Sequence, residues 1–279
     1  MLVIKVRYGD REGVEDFPML ALQNGMLGAL APSVYASISR DLDLVSLKIG
    51  TDLLSPLRRR NIFFPVNCLV AVNARTASTP DTFLFFGGCT GVVGLSESLA
   101  TPHLGYSAMV CSEGYAFSMS RDVFLRHALP EPRSSGMRFH SISAIARLGV
   151  INASCASLHS AAFRVARLLL EAMAESPCEH AISMGHKDFA ELLSVRRETV
   201  TQVFKNLENK SLIDTTRGKI KRIDRAGLMQ VACDCFRESA RTKAFWHAAW
   251  QGEESLSMSR VVGLSASACP AGAEIEGGG

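Results

Sequence analysis

The sequence predicts an α+β fold, and three observations along the chain support this prediction. Short apolar segments separated by Gly, Pro, Asn or Ser occupy most of the chain up to about residue 120. A stripe of apolar residues at spacings of three and four then runs over residues 135–174. A compact pattern of two helices and two strands follows over residues 187–229. Together these observations predict an N-terminal jelly-roll β-barrel, a long dimerisation helix and a C-terminal winged helix-turn-helix.

Composition and charge limit the classes of protein to which the chain can belong. Its 279 residues are 47% hydrophobic and 20% charged, with ordinary Gly and Pro content, which excludes collagen-like and largely disordered chains. The sequence has no apolar run of about 18 residues and no secretory signal. Eight cysteines are scattered through a chain too large to need disulfides. We therefore expect a reduced, cytoplasmic protein with no membrane partner.

The N-terminal part of the chain is predicted to contain one helix and several short strands. Residues 1–20 show no period and are expected to form a loose arm. Residues 24–39 are predicted to form a helix, because apolar residues recur there at helical spacing, namely Met26, Leu27, Leu30, Val34, Tyr35 and Ile38. Short apolar runs predict strands near residues 42–49, 62–65, 68–72, 83–86, 106–110 and 115–119. Strands of this length are typical of a small antiparallel barrel or jelly roll.

The apolar stripe of residues 135–174 is long for one globular helix. Its members include Phe139, Ile142, Ile145, Ala146, Gly149, Val150, Ala153, Phe163, Ala166, Leu170 and Met173. Either two helices adjoin here, or one helix projects and pairs with a second copy of the chain. Two core helices of a monomer are the alternative to a dimer. We favour a homodimer, because a barrel and a small helical domain leave little core to cover the stripe.

These patterns divide the chain into four parts. Residues 1–130 are the predicted jelly-roll domain, 131–157 the dimerisation helix and 158–238 the winged helix-turn-helix domain. Residues 239–279 are a C-terminal extension, rich in Ser, Ala and Gly from about Gly252, which we expect to be largely disordered.

The segment of residues 187–229 carries the most specific pattern. A short amphipathic helix over residues 187–193 is followed by a break at 194–195 and by a second helix that starts at 196. The second helix has one apolar face, formed by Val200, Val203, Phe204 and Leu207. Two predicted strands begin at 212 and 219 and are joined by a turn at Arg217 and Gly218. Helix, turn, helix and a two-stranded wing is the order of a winged helix-turn-helix.

The second helix of this segment presents polar side chains suited to the edges of bases. A helix in the major groove needs such side chains near its N-terminus. Arg197 suits guanine, Glu198 suits the amino group of cytosine, and Gln202 suits adenine. The side chains suited to phosphate contacts are Arg196, Thr199, Thr201, Lys205, Lys219 and Lys221. The segment therefore predicts binding to double-stranded DNA.

The positive charge of the chain is concentrated on this segment. Residues 196–225 hold 9 Lys or Arg and 4 Asp or Glu, a net charge of +5, whereas the other residues hold 21 against 23, a net of −2. A winged-helix module for protein contacts is the alternative. The ordered combination of helix, turn, helix and basic wing favours DNA.

At these residues the sequence resembles the Crp/Fnr family of bacterial transcription regulators, the catabolite activator protein type. The resemblance is strongest over residues 188–193, 195–207 and 212–228. A weaker resemblance to the family's cyclic-nucleotide-binding-type jelly roll covers residues 42–50, 63–72 and 91–95. The resemblance implies a sequence-specific regulator that binds a near-palindromic site as a homodimer. It also implies RNA polymerase as a partner and a small-molecule effector of unknown identity.

The resemblance further implies that Arg197, Glu198 and Gln202 stand at the base-contacting positions, although the family usually has Arg where Gln202 stands. Members that bind cyclic AMP hold it with a Glu in a Gly-Glu-Leu turn and an Arg before Ser-Ala. Here the Glu position is Val92 or Val93, and the Arg position is Tyr106. A buried cyclic phosphate without that Arg lacks its charged partner. We therefore predict that the chain does not bind cyclic AMP as those members do.

The cysteines and histidines predict no cofactor and no metal. The family's iron–sulfur sensors carry cysteines in the N-terminal arm, whereas the first cysteine here is Cys68. Cys233 and Cys235 could form a redox or metal contact, but two cysteines make a poor site, and we interpret them as structural. His159, near Cys155, is interpreted as a packing residue.

Two other functions remain as alternatives at this stage. One is a redox- or metal-responsive regulator of the same fold that signals through its cysteines. The other is an enzyme, for which the sequence offers no convincing Ser–His–Asp order, phosphate loop or paired metal carboxylates. We therefore assign no catalytic residue and expect no enzymatic activity.

Overall fold

The computed structural model describes residues 5–7, 17–75, 77, 80–95, 105–128, 133–176, 182–216 and 219–251. The first half of this part contains β1 (Lys5–Arg7), α1 (Phe17–Leu22), α2 (Gly25–Gly28), α3 (Pro32–Ile38), β2 (Asp43–Leu47), β3 (Asn61–Pro65), β4 (Leu69–Arg75), β5 (Thr82–Gly87), β6 (Gly105–Ser112), β7 (Gly114–Ser120) and α4 (Arg121–Ala128). The second half contains α5 (Arg133–Leu158), α6 (Ala161–Glu175), α7 (His186–Leu193), α8 (Arg197–Asn209), β8 (Ile213–Thr216), β9 (Lys219–Ile223), α9 (Arg225–Val231) and α10 (Cys235–Gln251).

The strands of the N-terminal part form two antiparallel sheets, with the orders β1-β2-β7-β3 and β5-β4-β6. They share an apolar core, to which Phe64 and Phe117 contribute from the first sheet and Val72 and Val110 from the second. The predicted mixture of helix and antiparallel sheet is confirmed. The predicted barrel is not closed within the described residues, because neither sheet's ladder continues into the other.

Strand β4 separates the two cores of the molecule. Val70 and Val72 face the core between the sheets, whereas Leu69 and Ala71 face α6 and the helix-turn-helix. Successive side chains of a strand point to opposite faces. Both faces of β4 are therefore covered, which explains why its first four residues, 69–72, form a continuous apolar run.

Two predictions for the N-terminal part are wrong. Residues 1–20 do not form a loose arm throughout, because β1 pairs with β2 and α1 precedes α2. The helix predicted over residues 24–39 is two short helices, since Pro32 starts a separate one. Asn24 caps the start of α2, because its buried side chain accepts hydrogen bonds from the backbone N–H groups of Met26 and Leu27, each at 3.1 Å.

The long apolar stripe forms two adjoining helices, α5 and α6, which was one of the predicted alternatives. By length and composition alone, Phe139–Leu158 in α5 could cross a membrane, with a mean hydropathy of 1.3 and 33% of it buried. A helix in a core or at an interface passes the same test. Arg147 in this segment pairs with Glu238 of α10 at 2.7 Å, and we infer no membrane span.

The expectation of disorder from residue 239 is wrong as far as residue 251. Residues 235–251 form α10, which packs along α5 and buries Trp246 to 5% exposure. The Trp246 ring meets the Phe85 ring edge-on at 5.5 Å, and its Nε1 donates to Ser141 Oγ at 3.3 Å. Burial of a few large side chains stabilises this helix, although its sequence lacks a continuous apolar stripe. Residues 252–279 lie outside the described part of the chain, and the three boundaries between the four predicted parts remain predictions.

Candidate nucleic-acid interface

Helices α7 and α8 form the predicted helix–turn–helix, and their packing fixes the angle between them. The rings of Phe189 and Phe204 meet at 5.3 Å between the two helices. Ser194 ends α7 with a left-handed backbone conformation, at a φ of 52°. This turn changes the direction of the chain, and α8 begins three residues later. At the other end of α7, the backbone N–H of Gly185 donates to Asp188 Oδ2 at 2.7 Å.

Helix α8 has a buried apolar face and an exposed polar face. Val200, Val203, Phe204 and Leu207 are 0% to 7% exposed, as their spacing predicted. Arg197, Glu198 and Gln202 are all exposed, on the first two turns. The side chains predicted to contact phosphates are exposed as well, namely Arg196, Thr199, Thr201, Lys205, Lys219 and Lys221. The structure thus brings the predicted residues onto the surface of one small domain.

Local hydrogen bonds orient part of the polar face. Gln202 Nε2 donates to Asn206 Oδ1 at 3.1 Å, one turn further along α8. Thr201 Oγ1 donates to the carbonyl of Arg197 at 3.0 Å. The first turn of α8 also carries the positive end of the helix dipole, which favours an anion such as a DNA phosphate at this end.

The wing is a β8–β9 hairpin anchored to Ile182, which lies four residues before the start of α7. Ile220 is buried and exchanges two backbone hydrogen bonds with Ile182, at 3.0 and 3.1 Å. Lys219 and Lys221 flank Ile220 and are exposed, because alternate residues of a strand share a face. The predicted turn at residues 217–218 lies outside the described residues.

Two residues that sequence reasoning missed position the two helices. His186 Nδ1 lies 3.1 Å from Thr201 Oγ1, and its ring meets the Phe204 ring at 4.6 Å. Arg164 of α6 donates from Nη2 to the carbonyl of Leu193 at 2.6 Å, at the end of α7. A carbonyl at a helix C-terminus lacks an intrahelical partner, so this contact ties α7 to α6. Nothing in the local sequence pattern identifies either residue.

The region that resembles a cyclic-nucleotide pocket is occupied by side chains of α10. Val92 lines a small cavity together with Lys243, Trp246 and His247, while Val93 is fully buried. Lys243 Nζ donates to Glu175 Oε1 and to the carbonyl of Phe86, each at 2.7 Å.

Glu175 is ionised inside this region. Burial opposes ionisation most strongly, but Lys243, His247 and a hydrogen bond from Thr90 hold the pKa of Glu175 below its ordinary value. Gly88 permits the close approach, because a Cβ there would lie 2.0 Å from the carbonyl oxygen of Glu175. The site is therefore a packed ion pair between α6 and α10.

The position that resembles the phosphate-binding arginine lies beside an ion pair. Tyr106 is half-buried there, and the hydroxyl of the next residue, Ser107, donates to Asp81 Oδ2 at 2.5 Å. Asp81 also pairs with Arg75 at 3.2 Å. Ser107 and Arg75 are thus both engaged by the carboxylate of Asp81, which a bound phosphate would have to displace.

A cluster of possible metal ligands lies at the end of α5. Atoms of Cys155, His159, Cys233 and Cys235 that could bind a metal all lie within 4.8 Å of one another. Sequence reasoning treated these residues separately and as structural. The sequence indicated this cluster only by two short spacings, between Cys155 and His159 and between Cys233 and Cys235. That the two pairs lie close together in space depends on the fold.

Comparisons with known proteins agree with this architecture. Residues 163–231 match the Crp-like helix-turn-helix domain. No curated protein sequence matches the chain. Among solved structures, FixK2 from Bradyrhizobium japonicum is 14% identical, with a TM-score of 0.55 over 69% of this chain and 98% of that one.

Two further structures show the same fold. A putative transcriptional regulator of the Crp/Fnr family from Eubacterium rectale is 15% identical, with a TM-score of 0.52 over 74% of this chain and 96% of that one. A Crp/Fnr-family transcriptional regulator from Thermus thermophilus is 22% identical, with a TM-score of 0.50 over 68% of this chain and 97% of that one. The resemblance drawn from the sequence is thus confirmed for the helix-turn-helix domain and for the fold.

Proposed function

The chain carries a Crp-like helix-turn-helix DNA-binding domain within the fold of Crp/Fnr-type transcription regulators, and on this premise we propose that it binds a near-palindromic DNA site as a homodimer. Helix α8 enters the major groove, where Arg197, Glu198 and Gln202 contact bases. The side chains at the backbone positions bind phosphates, namely Arg196, Thr199, Thr201, Lys205, Lys219 and Lys221.

The two-faced character of α8 is the observation that carries this proposal. Its apolar face is buried against α6 and α7, so the polar face has no packing role to fill. This face and the exposed lysines of β9 supply long polar side chains for bases and cations for phosphates. A polar surface that only keeps the domain soluble would not need long polar side chains on α8 together with exposed lysines on β9.

An apolar stripe on α5 supports the homodimer. Phe139, Ile142 and Val150 are 69%, 44% and 65% exposed, and Ala146 and Ala153 continue the stripe at helical spacing. The opposite side of α5 is buried against the N-terminal core, so the stripe faces away from its own chain. A second copy packed along this stripe would bury it and would present two α8 helices to two half-sites.

We further propose that the regulator does not respond to cyclic AMP and is not an enzyme. Side chains of α10 line the cavity where a cyclic nucleotide would bind, and the carboxylate of Asp81 already engages Ser107 and Arg75, which could otherwise contact its phosphate. Since its target is DNA, we place the protein in the cytoplasm. RNA polymerase and another small-molecule effector remain expected partners.

Selection of bound duplexes from a random pool tests the function. The full chain is incubated with the pool at a stated salt concentration, because phosphate contacts make affinity depend on salt. We expect enrichment of one near-palindromic sequence with two half-sites. Enrichment of no sequence would overturn the proposal of a sequence-specific regulator.

A further inference from the structure

Four side chains from three places in the chain meet where α5 ends. Cys155 lies in the last turn of α5, and His159 follows this helix. Cys235 is the first residue of α10, and Cys233 lies two residues before it. Cys155 and Cys233 are 2% and 8% exposed, whereas His159 and Cys235 are half-buried. We propose that these four residues bind one zinc ion.

The distances between these side chains fit a tetrahedral site. Cys155 Sγ and Cys233 Sγ lie 3.6 Å apart, and Cys235 Sγ lies 3.6 Å from His159 Nδ1. Ordinary zinc–ligand distances place two sulfurs about 3.8 Å apart, and a sulfur and a nitrogen about 3.6 Å apart, on the edges of a tetrahedron. The other pairs lie within 4.8 Å, so binding requires a contraction of about 1 Å at most.

The ligand set favours zinc over other metals. Three thiolates and one imidazole form a common structural zinc site, whereas calcium and magnesium require oxygen ligands. Ligand atoms this close together enclose a single ion and leave no room for an iron–sulfur cluster. Four protein ligands complete the coordination of zinc, so the site is structural and holds no reactive water.

Arg167 provides a neighbouring positive charge. Three thiolates and one zinc ion carry a net charge of −1, and the buried guanidinium of Arg167 lies beside Cys155. This guanidinium also pairs with Glu171 at 3.1 Å, and it stabilises negative charge on the sulfur ligands of a buried site.

The position of the site gives it a structural consequence. The helix-turn-helix match spans residues 163–231. His159 stands just before this domain and Cys233 just after it, so one ion would join the two segments that connect the domain to the rest of the chain. We infer that zinc fixes the orientation of the DNA-binding domain relative to α5, a role that rests on the proposed function.

A disulfide between Cys155 and Cys233 is the competing explanation for their closeness. It would use two of the four residues and would leave His159 and Cys235 without a role. Metal content and the state of the thiols separate the two explanations, because a disulfide sulfur does not bind zinc as a thiolate does.

The test measures metal in the full chain, purified under a thiol reductant without added metal. We expect about one zinc ion per chain by elemental mass spectrometry. Replacement by cobalt should give thiolate-to-cobalt charge-transfer absorption and the intense visible bands of tetrahedral cobalt. The absence of both zinc and these bands would overturn the proposal, as would a Cys155–Cys233 disulfide in metal-free protein.

Variants then identify the ligands. Cys155→Ser and Cys235→Ser should each lose most of the cobalt signal, and Cys111→Ser is the matched control outside the cluster. His159→Cys keeps four ligands and should retain tetrahedral cobalt with stronger charge-transfer absorption, which a folding defect would not produce. Unchanged spectra in the Cys155 and Cys235 variants would overturn the assignment.

DNA binding is measured separately, on protein stripped by a chelator and on the same sample reloaded with zinc. We expect affinity for the selected duplex to fall by about tenfold on stripping and to return on reloading. Unchanged affinity would overturn the positioning role. Zinc binding without any DNA binding would instead contradict the proposed function and leave the metal site in place.

Discussion

Lys243 Nζ lies 2.7 Å from Glu175 Oε1, and this buried ion pair joins α10 to the end of α6. The two side chains are 13% and 5% exposed, so both charges depend on each other and on the hydrogen bonds around them. The pair makes the C-terminal helix part of the core. It does so in the region that resembles a cyclic-nucleotide pocket.

Lys243→Met leaves the carboxylate of Glu175 buried without its cation. We expect the free energy of unfolding in urea to fall by about 3–5 kcal/mol. The double variant Lys243→Met/Glu175→Leu removes both charges and should recover most of this loss. Equal losses in the single and double variants would show that the ion pair is not the cause.

His247 predicts a pH dependence of stability. Burial, with a smaller contribution from Lys243, lowers the pKa of His247, while Glu175 opposes the shift. As the pH falls, the imidazole of His247 is protonated in the unfolded chain before it is protonated in the folded one. The contribution of neutral His247 to stability is therefore complete above about pH 6.5 and declines as the pH falls below it. We expect urea midpoints to fall between about pH 7 and pH 5, and His247→Phe to flatten this slope. His127→Phe, at an exposed position, should leave it unchanged; an equal slope in the His247 variant would contradict the assignment.

The apolar stripe of α5 predicts the effect of a charge on assembly. Val150→Glu places two carboxylates in each proposed dimer interface and should weaken the dimer by at least about 2 kcal/mol. Sedimentation at several concentrations measures this. Leu57→Glu is the control, because Leu57 is 96% exposed and lies in the connection between β2 and β3, outside the α5 stripe. A dimer that survives the first change would have to use another surface.

Lys219 is predicted to contact a phosphate and not a base. Lys219→Ala should weaken binding to all duplexes by a similar factor. The slope of log affinity against log salt should fall by about one for each lost contact, thus by about two per dimer. Lys48→Ala removes the same charge from an exposed site in the N-terminal part and should leave the slope unchanged. A change confined to one DNA sequence would instead assign Lys219 to base contact.

Local pattern predicted most of the DNA-binding domain, because its information lies within short stretches of sequence. The period of Val200, Val203 and Leu207 gives the buried face of α8, and this leaves Arg197 and Gln202 on the exposed one. The strands were predicted for the same reason, since runs such as residues 68–72 are apolar enough to be recognised alone.

Features that depend on contacts distant in sequence could not be predicted in this way. The three residues of β1 carry no period, and their pairing with β2 defines them as a strand. Helix α10 is stabilised by single contacts, such as Trp246 on Phe85, and not by a stripe. Cys155 and Cys233 are 78 residues apart, so only the fold shows that they meet.

We propose that α8 recognises DNA sequence through its exposed face. Substitution of Arg197 is the most direct test of this recognition. Affinities of the wild-type chain and Arg197→Ala are measured at fixed salt for the selected duplex and for every single-base change in one half-site. For Arg197→Ala we expect a loss of about 1–3 kcal/mol in the free energy of binding to the selected duplex, and a relaxed preference at one base position. Arg126→Ala, at an exposed position of α4, serves as the control and should behave as wild type. Unchanged affinity and unchanged preference in Arg197→Ala would contradict the placement of α8 in the major groove.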